Sequence, residues 1–95
     1  MPLFALIGRD GPRGAELRGL HRDAHLARLR ELDRAGRLVF AGPLRTPDGR
    51  PCGSLVIFEA EDLAAARSTA EADPYVTEGV FASFEVLETR RVLPA

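Results

Sequence analysis

The order in which hydrophobic patterns follow one another along the chain limits the fold more than any other feature. Short apolar runs of strand length occupy residues 3–8, 37–41, 53–60 and 80–88. Two longer segments, 16–35 and 61–73, carry apolar residues at helical spacing. The order is therefore β-α-β-β-α-β, which is two split β-α-β units. Such a chain packs as a four-stranded antiparallel sheet with two helices on one face, a ferredoxin-like α+β fold.

Turn-forming and helix-ending residues support these boundaries. Gly36 follows the first helical segment, where a left-handed glycine commonly ends a helix. Pro74 follows the second segment, and proline disfavours helical geometry at the residue before it. Between the two middle strands, residues 46–51 hold the densest cluster of turn formers. The sequence therefore predicts that the second strand ends at residue 41 and that a loop covers 44–52.

Length and charge exclude several classes of protein. A chain of 95 residues is long enough for one hydrophobic core and too short for two, so residues 1–95 should form a single domain. Thirteen basic and fourteen acidic residues leave a formal charge of −1. Nucleic acids and membranes are bound through a broad positive field, so neither partner is expected. The single cysteine, Cys52, and the lack of a targeting or membrane-spanning segment predict a cytoplasmic protein.

The residue inventory also argues against a cofactor or a metal. The chain contains no lysine, which excludes a Schiff base and a Walker phosphate loop. It has no dinucleotide-binding fingerprint, nucleophile elbow or Cys-x-x-Cys motif. His21 and His25 have the i, i+4 spacing of zinc ligands, but no glutamate follows the first histidine as the metalloprotease motif requires. We therefore expect neither a cofactor nor a metal ion.

His25 is the strongest candidate for chemistry. Helical geometry places it between Leu29 and Leu32, inside the apolar stripe of the first helix and away from the solvated side. A partly buried imidazole is a candidate general acid or base. The alternative is a core histidine that only satisfies a backbone carbonyl. His21, one turn earlier, lies nearer the edge of the stripe and should be partly exposed.

Asp73 is the second candidate. It ends the second predicted helix just before Pro74, and a carboxylate at a helix C-terminus is disfavoured by the helix dipole. We therefore expect a cation or an imidazole to compensate its charge. The two helices lie side by side in this fold, so a pair of His25 with Asp73 is geometrically allowed. The alternative is that Asp73 and Pro74 only end a helix and begin a turn.

Other polar residues could contribute to a binding site. Arg22 precedes His25 by three residues and could bind a carboxylate substrate, although most arginines in such a chain are solvated. Ser54, on a central strand, could direct its hydroxyl at a ligand. Asp10 could reach the same region from the end of the first strand. Tyr75, in the turn after the second helix, is a candidate for substrate positioning.

One face of the predicted sheet has no helix to cover it. The last strand would place Phe81 and Leu87 on that face, where both side chains would meet water. A second subunit that packs on the same face would remove them from solvent. The sequence therefore predicts a homodimer formed through the sheet.

Three motifs in fixed order extend the interpretation: R-x-x-H-L at 22–26, G-x-L-x-x-A-G-P at 36–43 and D-P-Y at 73–75. With these motifs the chain resembles the YCII-related (YciI-like) proteins over nearly its whole length. The resemblance implies a bacterial protein with a ferredoxin-like, dimeric α+β barrel fold akin to that of muconolactone isomerase. The loop at 44–52 is shorter than the Gly- and Asp-rich segment typical of the closest members.

The resemblance also implies a function for two residues. In this family a histidine and an aspartate are taken to be a catalytic pair, and they correspond to His25 and Asp73. Most members have no assigned reaction, although a relative with this fold removes chloride from a chlorinated hydroxyquinol-type ring with such residues.

Together these observations predict a small cofactor-independent enzyme, an isomerase or a lyase of dehydrochlorinase type, that acts on a small molecule. His25 is expected to act as general acid or base and Asp73 to orient it. Arg22, Ser54 and Tyr75 are expected to position the substrate. Two alternatives stay open: a non-catalytic ligand-binding or interaction module with the same fold, and a structural protein with no open cleft beside the pair.

Overall fold

The computed structural model describes residues Met1–Ala95 as one four-stranded antiparallel sheet with helices packed on one face. The elements in chain order are β1 (Leu3–Asp10), α1 (Gly14–Arg34), β2 (Leu38–Arg45), β3 (Pro51–Glu59), α2 (Leu63–Glu71), α3 (Pro74–Thr77) and β4 (Phe81–Thr89). The strands lie in the order β2-β3-β1-β4, and every neighbouring pair is antiparallel. The predicted ferredoxin-like α+β fold is confirmed.

The core lies between the sheet and the two long helices. In β1 the buried residues alternate with less buried ones, as expected of a strand with one covered face. The α1 helix ends at Arg34, and Gly36 follows with a φ of 72°, so the predicted glycine stop is confirmed. Nine buried residues form the main core: Phe4, Leu6, Leu29, Val56, Phe58, Ala60, Ala66, Ala70 and Val86.

The middle hairpin is tighter than predicted. The β2 strand does not end at residue 41 but runs through Gly42 and Pro43 to Arg45, and β3 begins at Pro51, so the loop covers only 46–50. Pro43 can lie within β2 because β2 is an edge strand. A proline there does not interrupt the hydrogen bonds between central strands. The predicted loop over 44–52 was therefore too long.

The last strand contains a β-bulge that redirects one aromatic side chain. Arg9 pairs with Ser83 and Asp10 pairs with Phe81, which leaves Ala82 as the extra residue. Phe81 consequently turns toward the helices and is buried against Gly8, where an added Cβ would collide with its ring. The prediction that Phe81 faces the uncovered side of the sheet was wrong, whereas Leu87 does lie exposed there.

The helix predicted over 61–73 is α2, which is shorter than predicted and covers Leu63–Glu71. The side chain of Asp62 accepts a hydrogen bond from the backbone N–H of Ala65 and caps α2, which ends at Glu71. A separate four-residue helix, α3, then begins at Pro74. None of the three helices combines the length and the apolar character that crossing a bilayer requires.

Candidate functional site

One face of α1 forms a wall of the site. Arg18, Arg22, His25 and Leu29 follow one another at spacings of four, three and four residues, so they share a helix face. This face is directed at β2, β3 and α3, and His25 is only 7% exposed. The imidazole therefore sits at the boundary between the protein core and the polar part of the site.

His25 and Asp73 form a buried pair. Nδ1 of His25 lies 2.7 Å from Oδ1 of Asp73, and the carboxylate is 5% exposed. A carboxylate can only accept hydrogen bonds, so Nδ1 carries the hydrogen that joins the two groups. Nε2 then holds the lone pair of the neutral imidazole. The structure thus brings together the two residues that the sequence singled out for acid–base chemistry.

Asp73 does not end a helix but begins one. Its Oδ1 also accepts the backbone N–H of Tyr75 at 2.8 Å, which makes Asp73 the N-cap of α3, with Pro74 as the first helical residue. The prediction that this carboxylate lies at a disfavoured helix C-terminus was therefore wrong. A carboxylate is favourable at the N-terminus, and the D-P-Y motif is explained by this local geometry.

The ring of Tyr75 packs against the face of the His25 imidazole. The two rings are stacked, with their centroids 3.8 Å apart. Burial raises the pKa of the Tyr75 hydroxyl above its ordinary value, although the positive charges of Arg18 and Arg22 lower it in part. Tyr75 is therefore an uncharged phenol over the neutral pH range.

A cavity of about 440 Å³ opens beside the pair, within the size range of small-molecule sites. Nε2 of His25 makes no hydrogen bond within the chain, yet no buried side-chain nitrogen or oxygen lacks a partner. Nε2 is therefore reached by solvent, and His25 is one of the residues that line the cavity. The polar lining residues are Arg18, Arg22, His25, Ser54 and Tyr75. Leu26, Leu29, Ala41, Pro43 and Val56 supply most of the apolar lining.

Arg18 organises a second polar part of the cavity lining. Its guanidinium binds both carboxylate oxygens of Asp10, at 2.7 and 2.9 Å, and donates to the carbonyl oxygen of Gly53 and to Oγ of Ser54. Burial lowers the pKa of Arg18, but the hydrogen bonds and the charge of Asp10, with a smaller effect of Tyr75, raise it above its ordinary value. Arg18 is therefore a fixed cation.

Sequence reasoning did not identify Arg18. Its partners come from the end of β1 and the start of β3, which are far apart in sequence. The available signal was its position seven residues before His25, on the same helix face. Asp10, which was expected to reach a ligand, is instead bound to Arg18 and does not line the cavity.

The remaining candidates are placed as follows. Arg22 and Ser54 line the cavity, Arg22 being exposed and Ser54 buried. His21 is half-buried and makes no side-chain hydrogen bond, and Cys52 is exposed outside the cavity. No three side chains of the histidine, cysteine, aspartate and glutamate types come together as metal ligands.

Fold and site together define a ferredoxin-like domain with a small-molecule cavity that opens onto a buried histidine–aspartate pair. Residues 2–90 match the YCII-related domain, and the chain belongs to this family. Protein YciI of Escherichia coli O6:H1 is 40% identical over 96 residues, which cover 95% of this chain and 98% of that protein. A protein of Haemophilus influenzae is 37% identical over 95 residues, covering 94% and 97% of the two chains. The predicted family is confirmed.

Solved structures extend the comparison. The chain is similar to the 5-chloro-2-hydroxyhydroquinone dehydrochlorinase TftG of Burkholderia phenoliruptrix AC1100, solved in complex with 2,5-dihydroxybenzoquinone. The two share 31% identity with a TM-score of 0.82, and the alignment covers 94% of each chain. A NIPSNAP domain protein from Burkholderia xenovorans, 12% identical with a TM-score of 0.54 over 100% and 98% of the chains, shares the fold alone.

Proposed function

We propose that this protein is an enzyme that moves protons on a small hydroxyl- or carbonyl-bearing molecule, with His25 as general base and acid. The observation that carries the proposal is that the two nitrogens of the imidazole lie in different environments. Nδ1 is held by a buried carboxylate, and Nε2 is open to the cavity. A base must be fixed on one side and reach its substrate on the other, and this arrangement supplies both conditions.

The proton transfer follows from this geometry. A substrate O–H or C–H bond breaks, its proton passes to Nε2, and its electron pair remains on the substrate. Asp73 stabilises the imidazolium that forms, because its carboxylate lies 2.7 Å from Nδ1. The imidazolium can return the proton to another atom of the substrate, which is an isomerisation. When instead a leaving group such as chloride departs with its bonding electrons, the imidazolium releases its proton to water, and the net result is loss of HCl.

The likeness to TftG supports the second of these outcomes. That protein is a dehydrochlorinase, and it shares the fold over most of both chains. A lyase of this type is therefore the reaction we propose first, with isomerisation as the alternative outcome of the same proton transfer. Arg22, Ser54 and Tyr75 line the same cavity and are proposed to position the substrate.

The proposal is tested by adding 5-chloro-2-hydroxyhydroquinone to the purified protein and measuring chloride release. Related hydroxylated and carbonyl compounds are then incubated in D₂O and followed by NMR for exchange of substrate protons. We expect His25→Asn to lower the enzymatic rate by about 10²–10⁴-fold while the protein stays folded. His21→Asn, on the same helix one turn earlier, is the matched control and should retain the wild-type rate.

Two results would contradict the proposal. Equal rates for His25→Asn and the wild type would show that the imidazole is not the base. Binding of these compounds without any turnover or proton exchange would identify a binding module instead of an enzyme.

We also propose that two copies of the chain associate through the uncovered face of the sheet. Phe40 and Leu87 are 50% and 51% exposed, which is unfavourable for side chains of this size. Phe40 pairs with Ile57, and Ala5 lies between Ile57 and Leu87, so these residues form one apolar surface across all four strands. A second copy that presents the same surface would cover it by two-fold symmetry.

A further inference from the structure

The cavity is lined by positive and hydrogen-donating groups and by no negative one. Arg18 and Arg22 are its cations, and no aspartate or glutamate lines it. The two nearest carboxylates, Asp10 and Asp73, lie behind the lining and are bound to Arg18 and His25 respectively. The chain as a whole has a formal charge of −1, so the positive character is local to this site.

The two arginines of the cavity differ in what they can offer a ligand. Arg18 is neutralised by a bidentate contact with Asp10, and its remaining contacts go to Gly53 and Ser54. Arg22 forms no ion pair and no side-chain hydrogen bond within the chain. Its guanidinium is therefore the one cation of the cavity whose donors are free for a ligand.

Ser54 adds a second donor. Its Oγ accepts a hydrogen bond from Arg18 at 3.0 Å and makes no other hydrogen bond within the chain. The hydroxyl hydrogen is consequently free, and Ser54 is 3% exposed and lines the cavity. A buried hydroxyl whose oxygen is held by a guanidinium is well suited to donate to an oxyanion.

The rest of the lining is largely apolar. It consists of Leu26 and Leu29 from α1 and of Ala41, Pro43 and Val56 from the sheet. A ligand that fills the cavity must therefore combine an apolar body with a polar end.

We propose that the cavity selects small organic anions with an apolar ring-sized body, whose charged oxygen is bound by Arg22 and Ser54 beside Nε2 of His25. The inference rests on the proposed function for the location of the site, but it concerns binding and requires no turnover. It names the charge state of the substrate, which the acid–base role of His25 leaves open.

The test compares two molecules of nearly equal size that differ in charge. Benzoate and benzamide are titrated into ¹⁵N-labelled protein at millimolar concentrations, and the dissociation constants are obtained from amide shifts of residues that line the cavity. We expect benzoate to bind at least about tenfold more tightly than benzamide, as expected of a hydrogen bond to a charged group.

Variants assign the preference to particular residues. Arg22→Ala should raise the dissociation constant of benzoate about tenfold or more and leave that of benzamide nearly unchanged. Ser54→Ala should raise the dissociation constant of benzoate about threefold to tenfold. Arg30→Ala, which removes the same charge from an exposed position of α1, is the matched control and should bind benzoate as the wild type does. His25→Asn should still prefer benzoate to benzamide.

The outcomes separate this inference from the proposed function. Equal affinity for the two molecules, no binding of benzoate, or equal effects of Arg22→Ala and Arg30→Ala would each overturn the inference. Selective, Arg22-dependent binding of benzoate by a protein that shows no turnover would support the inference and contradict the catalytic proposal.

Discussion

The imidazole of His25 lies parallel to the ring of Tyr75, with their centroids 3.8 Å apart and an angle of 5° between the planes. Asp73, two residues before Tyr75, holds the edge of the same imidazole through Nδ1. One short segment at the start of α3 therefore fixes the histidine from its face and from its edge. The position and the tautomer of the imidazole both depend on this turn.

The first prediction concerns the stacked ring. Tyr75→Phe keeps the ring and removes only a hydroxyl whose hydrogen bond to the carbonyl oxygen of Arg18 is long, at 3.4 Å. We expect the free energy of unfolding of this variant to lie within about 0.5 kcal/mol of the wild-type value. Tyr75→Leu removes the stacking and should lower the free energy of unfolding by about 0.5–1.5 kcal/mol more than Tyr75→Phe does. Urea unfolding measures both, and equal stability of the two variants would show that the stacking contributes nothing.

The ion pair of Arg18 with Asp10 gives the second prediction. Both side chains are largely buried, at 12% and 8% exposure, so removal of one partner leaves a charge without compensation. We expect Asp10→Ala to destabilise the fold by somewhat less than the about 3–5 kcal/mol of a fully buried pair. Arg13→Ala breaks the exposed pair with Glu16 on the same helix and should have no measurable effect on unfolding. Equal effects of the two variants would contradict the account of the Arg18 contacts.

Tyr75 also allows a direct test of the electrostatics. It is the single tyrosine of a chain without tryptophan, so ultraviolet absorbance at high pH reports its ionisation alone. Burial raises the pKa of Tyr75, so the folded protein should form tyrosinate at a higher pH than the unfolded protein, whose pKa lies near about 10. Arg22→Ala should raise the pKa of Tyr75 further, because the charge of Arg22 lowers it.

The raised pKa of Tyr75 also makes the stability of the fold depend on pH. A folded-state pKa above the unfolded value means that the folded state binds the proton more tightly. The contribution of Tyr75 to stability is therefore fully present below about pH 10 and is lost as the pH rises through the folded pKa. Ionisation of Tyr75 at the same pH in the folded and unfolded protein would contradict the burial of its hydroxyl.

The fourth prediction concerns the uncovered face of the sheet. Leu87→Glu places a charge in the proposed interface and should abolish the dimer that we propose, so that this variant sediments as a monomer in analytical ultracentrifugation. Leu63→Glu is the matched control, since Leu63 is 49% exposed but lies on α2, on the other side of the sheet. A monomeric wild type, or dissociation caused equally by the control, would contradict the proposed dimer.

Much of this architecture could be predicted because it depends on local patterns. The alternation of strands and helices, the helix stop at Gly36 and the inward direction of His25 all follow from residues near one another in sequence. The helix α3 was missed because four residues are too few to show a hydrophobic period. An aspartate followed by proline is nevertheless a recognisable start of a helix.

Features that depend on pairing between distant strands could not be predicted. The bulge at Ala82 and the burial of Phe81 depend on the register between β1 and β4. The role of Arg18 depends on Asp10 and Gly53, which the sheet brings together from separate parts of the chain. No local pattern carries this information, since any one arginine resembles the other twelve in the sequence.

The most direct test of the central claim is the value of kcat/KM for Asp73→Asn in the chloride-release assay. Asparagine caps a helix as well as aspartate does, so α3 should persist and the melting temperature should change little. This variant lacks the carboxylate charge that we propose stabilises the imidazolium of His25. We predict a loss of about 10²–10⁴-fold in kcat/KM with the fold retained. A folded Asp73→Asn protein with wild-type kcat/KM would contradict the account.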